Sequence, residues 1–207
     1  MPDSANNEKI NEIESSKNEY TEVKRKTMHL LILLYPISYN ILPRTTTLII
    51  SGGLIVADII VESLRLTFPA INKFLLRHMK GFYRDAEKNG ISTLLWTFTG
   101  AFFTMYIFKD PQVVTAALLY MVFGDSVAGL VGVHYGKTKL GPKKSLEGSL
   151  SCFIACFICG IIFLPWQIAL LGALTATIIE FLPLPFEDNF WLPLASGFAL
   201  TFFRSIF

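Results

Sequence analysis

The chain has 207 residues, of which 52% are hydrophobic and only 16% charged, and its mean hydropathy is +0.50. Soluble domains carry about 25% charged residues, so the composition argues against a water-soluble globule and for one compact bundle of membrane helices. The formal net charge of +2 matters less than where the charges fall, and no nucleic-acid partner is expected.

Residues 1–22 are rich in Asn, Glu, Ser and Lys and contain no apolar core of the kind a cleavable signal peptide needs. They read as a polar cytoplasmic tail without a packed structure, and residues 23–207 as a single integral membrane catalytic domain. Apolar runs follow at 29–42, 45–62, 92–108, 112–133, 150–165, 167–182 and 190–204, broken at Pro43-Arg44, Lys109-Asp110-Pro111, Pro165-Trp166 and 183–189. They predict an all-α, polytopic bundle of about seven spans, although several are shorter than the roughly 20 residues that cross a hydrocarbon core. The first and last runs are the weakest candidates for full spans.

Between the second and third runs, a stretch opening at Pro69 sets Ile71, Phe74, Leu75, Met79 and Phe82 against Lys73, Arg77, Lys80 and Arg84. This pattern suits a helix lying in the membrane interface, or a connector packed on the bundle, with Pro69 at an allowed first helical position. Cys152, Cys156 and Cys159 share one face of an apolar helix. They read as small apolar packing residues rather than as a metal site or disulfide framework.

The basic residues orient the bundle. Lys9, Lys17, Lys24, Arg25 and Lys26 lie in the tail, Arg65, Lys73, Arg77, Lys80, Arg84 and Lys88 in loop 63–91, and Lys137, Lys139, Lys143 and Lys144 in loop 134–149. Of the 18 lysines and arginines, that leaves Arg44, Lys109 and Arg204 for the opposite side. The positive-inside rule then puts the N-terminus in the cytoplasm.

Ionisable residues at or near membrane depth are His29, Asp58, Glu62, Asp125, Glu147 and Glu180, each placed toward the cytoplasmic end of its run. A buried aspartate costs about 2.5–3.5 kcal/mol on insertion scales, so such clustering points to one functional polar cavity open to the cytoplasm. Asp58 and Glu62 share a helix face. Gly124, Ala128, Gly132 and Gly136 form a small-residue ridge beside Asp125 that lets another helix approach closely. Gly132, Gly136, Lys137 and Thr138 resemble a Walker A loop, but the spacing is one residue short and a membrane helix precedes it, so that reading is rejected. Lys137, Lys139, Lys143 and Lys144 still supply positive charge for phosphates beside flexible glycines. Magnesium takes one or two carboxylates alongside phosphates and waters, and Asp125 with Glu62, Glu147 or Glu180 meets that demand. Arg25 and His29 share a helix face at the head of the first run. Asp188 and Asn189 offer further oxygens before the last one.

Arranged along the chain, these pieces form a pattern: R-K-x-x-H at Arg25, Lys26 and His29, E-S-L-R at Glu62 to Arg65 and G-D-S-V-A at Gly124 to Ala128. G-K-T-K at Gly136 to Lys139 and K-K-S-L-E-G-S at Lys143 to Ser149 follow, then Glu180 and Asp188-Asn189. From about residue 23 onward the chain resembles the CTP-dependent lipid kinases, comprising dolichol kinases, phytol kinases and yeast-type diacylglycerol kinases, with phosphatidate cytidylyltransferases as more distant relatives. The G-D-x-x-A and K-K-S-x-E-G elements also look like cytidylyltransferase elements. The H-G-G and D-R-x-D segments that end that enzyme's signature do not occur after Glu147, and the E…D-N tail is similar to the kinase side.

The resemblance implies a magnesium-dependent enzyme that uses CTP to phosphorylate the hydroxyl of a membrane lipid alcohol. Lys137, Lys143 and Lys144 would bind the triphosphate, with Arg25, Lys26, His29 and Asn189 also on the nucleotide. Asp125 and Glu147 would hold magnesium, with Glu62 and Asp188 as further candidate ligands. Asp125 or Glu180 would take the hydroxyl proton. The setting would be a bacterial inner membrane or the endoplasmic reticulum, with the site facing the cytoplasm. Cytidylyl transfer to phosphatidate is the nearest rival. A small ion-coupled transporter using Asp58, Glu62 and Asp125 is a rival of another class, but no inverted repeat supports it.

Overall fold

Helices account for nearly all regular structure in the computed structural model, which describes residues 29–79, 83, 85–141 and 144–207. The first run begins as a 3-10 turn, Leu30–Leu33, and continues as α1, Leu34–Ile41. Pro43, fixed in an extended conformation, turns the chain into α2, Arg44–Thr67. The buried residues of α2 are Thr47, Ser51, Glu62 and Arg65, whereas Ile49, Ile50, Val56, Ile60 and Leu64 stand 42–70% exposed at the outer surface. A helix that turns its polar face inward and its apolar face outward is inverted relative to a helix in water, and it suits a lipid surround.

Helix α3, Pro69–His78, buries no residue, and the expected amphipathic stretch does open at Pro69. Lys80, Phe82 and Arg84 of that stretch lie outside the described residues. A 3-10 turn, Asp85–Asn89, leads to α4, Thr93–Ile107. The longest helix, α5, runs from Pro111 to Tyr135 over 25 residues. The Asp110 side chain accepts from the Gln112 N–H at its start. Midway the helix passes through a π turn, Tyr120–Gly124, before resuming at Asp125. Helices α6, Leu146–Phe163, α7, Trp166–Phe181, and α8, Asp188–Arg204, complete the bundle.

By length and composition, α2, α5 and α6 can cross a membrane, and Leu30–Ile41, α4 and α7 are apolar but shorter. The predicted all-α architecture is therefore present, with three long apolar helices and three shorter ones where about seven spans, several of them short, were expected. Helix α8 carries Asp188 and Arg204 at its two ends and Pro193 inside it. These apolar helices point to an integral, multi-pass membrane protein. At the end of the bundle away from the lysine-rich loop, Arg44 donates to the Tyr106 carbonyl at 2.6 Å and Arg204 pairs with Asp110 at 2.9 Å.

The first half of α5 is central: Val113, Val114, Ala116, Ala117, Leu118, Tyr120, Met121 and Val122 are almost wholly buried. Its second half lies against α6 through the predicted small-residue ridge. A Cβ on Gly124 would stand 2.6 Å from Cys156 Sγ and 3.3 Å from Cys152 Sγ. A Cβ on Gly148 of α6 would stand 2.9 Å from the Ala128 carbonyl and 3.4 Å from the Gly132 Cα. Cys152, Cys156 and Cys159 are buried free thiols in this contact, in keeping with their reading as small packing residues. Overpacking costs about 1–3 kcal/mol, so Gly124→Ala should lower the thermal midpoint of the detergent-solubilised protein. Adding Cys156→Ala, which removes the clashing sulfur, should restore most of the loss. A second change that gives no recovery would show that the ridge contact is not what limits packing.

Candidate active site

Beyond α5 the chain forms a tight antiparallel turn rather than an open loop. Lys139 and Ser145 bridge, the Leu140 N–H donates to the Lys144 carbonyl at 3.1 Å, and the Leu146 N–H donates to the Thr138 carbonyl at 3.0 Å. Ser145 then caps α6, its Oγ accepting from the Gly148 N–H at 3.2 Å. Both Glu147 oxygens accept from the Thr138 N–H, at 3.1 and 3.2 Å, which ties the first turn of α6 back to the turn.

This framework aims Lys144 at the junction between the end of α7 and the start of α8. Its Nζ donates to Glu180 Oε1 at 2.6 Å and to Asp188 Oδ2 at 2.7 Å, joining the end of α7 to the start of α8. Ser149 Oγ lies 3.5 Å from Glu180 Oε2. Burial disfavours the Lys144 ammonium, but the charges of Asp188 and Glu180 and the hydrogen bonds to them outweigh it, and its pKa rises above the ordinary 10.5. Next to Asp188, Asn189 is buried and its Oδ1 has no hydrogen-bond partner among the described residues. Pro193, four residues on, has no N–H to give the Asn189 carbonyl.

Asp125 heads the resumed α-helix immediately after the π turn, a distortion frequent at functional sites. His29, buried at the head of the first helical run, places Nε2 3.9 Å from Asp125 Oδ2. The neighbouring Ser126 Oγ is buried and has no hydrogen-bond partner among the described residues.

The structure thus brings together Lys144, Glu180 and Asp188 in one cluster and His29 with Asp125 in another. It sets Glu62 apart. Arg65 is fully buried, and its guanidinium binds Glu62 through Nε to Oε1 at 3.2 Å and Nη2 to Oε2 at 2.6 Å. The Ser92 N–H also donates to Glu62 Oε2 at 3.1 Å. The remaining Arg65 donors reach the carbonyls of Glu87, at 3.0 Å, and Gly90, at 2.6 Å, and its carbon lies over the Tyr83 ring. Glu62 and Arg65 therefore clasp the 83–92 segment to α2. Among the described residues no three His, Cys, Asp or Glu side chains meet as a metal-binding group. Arg25, Lys26 and Lys143 lie outside the described residues, and Lys137 is exposed beside Gly136. Sequence reasoning missed the π turn and the Ser149–Glu180 contact. The Glu62–Arg65 pairing was signalled by the three-residue spacing of opposite charges on one helix face.

The profile of the cytidylyltransferase family matches residues 15–205. The chain belongs to the cytidylyltransferase family. Within reach of it are an uncharacterized protein of Rickettsia prowazekii, 27% identical over 89% of this chain and 96% of that protein, and CTP-dependent diacylglycerol kinase 1 of Schizosaccharomyces pombe, 27% identical over 66% of this chain and 60% of the kinase. The chloroplastic phytol kinase 1 of Arabidopsis thaliana is 25% identical over 84% of this chain and 64% of the kinase. The chain therefore spans nearly all of the Rickettsia protein but under two thirds of these kinases. No solved structure matches it. The expected kinship with CTP-dependent lipid kinases is borne out at the level of distant homology.

Because folding raises the Lys144 pKa, its ion pairing stabilises the fold below the ordinary value of 10.5 wherever Asp188 and Glu180 are ionised. That contribution is lost as pH climbs through the higher folded-state value. Lys144→Met should therefore be most destabilising at neutral pH, and the gap from wild type should close above about pH 10.5 in detergent unfolding experiments. A gap that stays constant to pH 11 or beyond would remove the charge as its cause.

Proposed function

We propose that this protein transfers the γ-phosphoryl group of CTP to the hydroxyl of a membrane lipid alcohol, at the cytoplasmic face. The observation that carries this reading is Lys144 held at 2.6 and 2.7 Å between Glu180 and Asp188. Through that contact the K-K-S-L-E-G-S element meets the E…D-N pair, and both belong to the pattern by which the chain resembles CTP-dependent lipid kinases. The diacylglycerol and phytol kinases named above support the same class of donor and acceptor.

Phosphoryl transfer asks a protein mainly for positioning and charge neutralisation. Lys137 and Lys144 provide cations for the triphosphate beside the Glu147–Thr138 contact, and Lys143, outside the described residues, would add a third. His29 with Asp125 provides a second polar group, to which Arg25 and Lys26, outside the described residues, would add charge.

The donor set fits magnesium. Glu180 and Asp188, from separate helices, already enclose one cation, the Lys144 ammonium. Asn189 Oδ1 is a buried oxygen beside them without a partner among the described residues. Two carboxylates with room for phosphate oxygens is the ligation magnesium prefers. Asp188 with Glu180, and Asp125 with Glu147 nearer α5, are the residues that would hold the ion. When bound, it would supply neutralisation of phosphate charge. Glu62, taken by Arg65 and Ser92, contributes structure instead.

Purified protein in lipid nanodiscs, given CTP labelled at the γ- or the α-phosphate, tests the reading. Label from the γ-phosphate should reach a lipid alcohol, and label from the α-phosphate should not. The opposite result would establish cytidylyl transfer. Asp125→Asn should lower the rate by about 100-fold or more, and full activity in that variant would dismiss the role given to Asp125.

A further inference from the structure

An open groove lies on the outer surface of the bundle, beside the Lys144 cluster. Leu140 of the turn, Ser149 of α6, and Thr177, Ile178 and Phe181 of α7 line a volume of about 190 Å³. An apolar cavity of about 150 Å³ takes a benzene ring, so this groove has room for one hydrocarbon chain over about six to eight carbons. Thr177 spends its hydroxyl on the Ala173 carbonyl at 2.8 Å. Ser149 is therefore the lining residue with a hydroxyl to offer.

The polar chemistry of the candidate site reaches the groove through that residue. Ser149 Oγ stands 3.5 Å from Glu180 Oε2, the outer limit of a hydrogen bond. The other Glu180 oxygen is held by the Lys144 ammonium at 2.6 Å, and the same ammonium binds Asp188 at 2.7 Å. A guest hydroxyl set here accepts from Ser149 and donates to Glu180 Oε2, so one long contact gives way to two ordinary ones. Two carboxylates around one ammonium carry a net negative charge. A neutral alcohol suits that charge, whereas a phosphodiester head group brings an anion of its own and no donor.

Depth points the same way. Glu180 is the next-to-last residue of α7, and Ser149 falls in the first turn of α6, so both sit at helix ends. Thr177 and Ile178 lie a turn deeper. Leu174 and Leu170, four and eight residues before Ile178, are exposed on the same face of α7. They extend the groove as an apolar track of about 12 Å toward the middle of the helix. A chain already among lipid tails gains little further from the hydrophobic effect, so such a groove selects by fit.

We propose that this groove seats the hydrocarbon chain of the acceptor alcohol, with its hydroxyl between Ser149 Oγ and Glu180 Oε2. This rests on the phosphoryl-transfer reading above and names where its acceptor binds. The alcohol enters sideways from the membrane along Leu170, Leu174 and Ile178. Leu140 and Phe181 close around the carbons nearest the hydroxyl, and Ser149 positions the oxygen. The hydroxyl is thereby one carboxylate away from the ammonium assigned to the triphosphate.

The test uses the full chain in phosphatidylcholine nanodiscs, with a long-chain alcohol carrying a photoreactive diazirine near its hydroxyl end. In wild type the label should concentrate on Leu140 and on residues 177–181. Unlabelled alcohol should displace it, and phosphatidylserine of the same chain length should not. Label spread evenly over the outer helix faces, or displaced equally by phosphatidylserine, would overturn the proposal and leave an ordinary lipid contact. Ile178→Trp fills the groove from a surface position and should raise KM for the alcohol about tenfold, with KM for CTP unmoved. Ile162→Trp, at the exposed far end of α6, should change neither. Ser149→Ala should raise the alcohol KM about fivefold. An unmoved alcohol KM in Ile178→Trp would dismiss the groove, and one in Ser149→Ala would dismiss the hydroxyl contact. If wild type moved no phosphate from CTP to any alcohol, the kinase reading would fail on its own. Labelling would still decide whether the groove holds an alcohol.

Discussion

The close approach of α5 and α6 is the constraint on which the rest of the molecule depends. It requires hydrogen or a small side chain at its closest points: Gly124 against Cys152 and Cys156, and Gly148 against Ala128 and Gly132. Between membrane helices the surrounding lipid is as apolar as the contact, so association rests on van der Waals fit more than on the hydrophobic effect. The fit brings the end of α5 and the start of α6 so near that the intervening chain closes in a short antiparallel turn. Lys144 leaves that turn at a fixed place and reaches α7 and α8.

Charge on the two sides of the bundle is handled differently. On the side of the lysine-rich turn, Lys144 links carboxylates from two helices, and oxygens of Asn189 and Ser126 have no hydrogen-bond partner among the described residues. On the other side, Arg44 and Arg204 bind a backbone carbonyl and Asp110, which fastens helix ends. Unspent buried oxygens are costly in a low-dielectric setting. They are expected where a ligand completes the network.

Much of this was legible in the sequence because membrane helices announce themselves by composition and because small residues at a four-residue spacing mark a contact face. The positions of α2, α5, α6 and the helix opening at Pro69 follow from those two signals. The candidate cluster was readable as a set of residues, since Lys144, Glu180 and Asp188 were all singled out, but their mutual contact depends on how α6, α7 and α8 pack. Glu62 shows the limit most clearly. As a carboxylate near membrane depth it invited a metal role, and only the three-dimensional path of the 83–92 segment reveals that Arg65, Ser92 and neighbouring carbonyls consume it. The π turn left no trace in hydropathy, because it changes the phase of a helix and not its polarity.

That phase change has a consequence for how the protein can vary. A π turn contains one more residue than the α-helical turn it replaces, and one residue amounts to about 100° of rotation about the helix axis. The half of α5 before Tyr120 and the half from Asp125 onward are therefore indexed separately: the first is matched to its neighbours in the middle of the bundle, the second to His29 and to α6. Substitutions leave the two halves in step, whereas losing or gaining a single residue between Leu119 and Asp125 would turn the carboxylate and the glycine face away together. Length in this segment should consequently be under tighter constraint than identity.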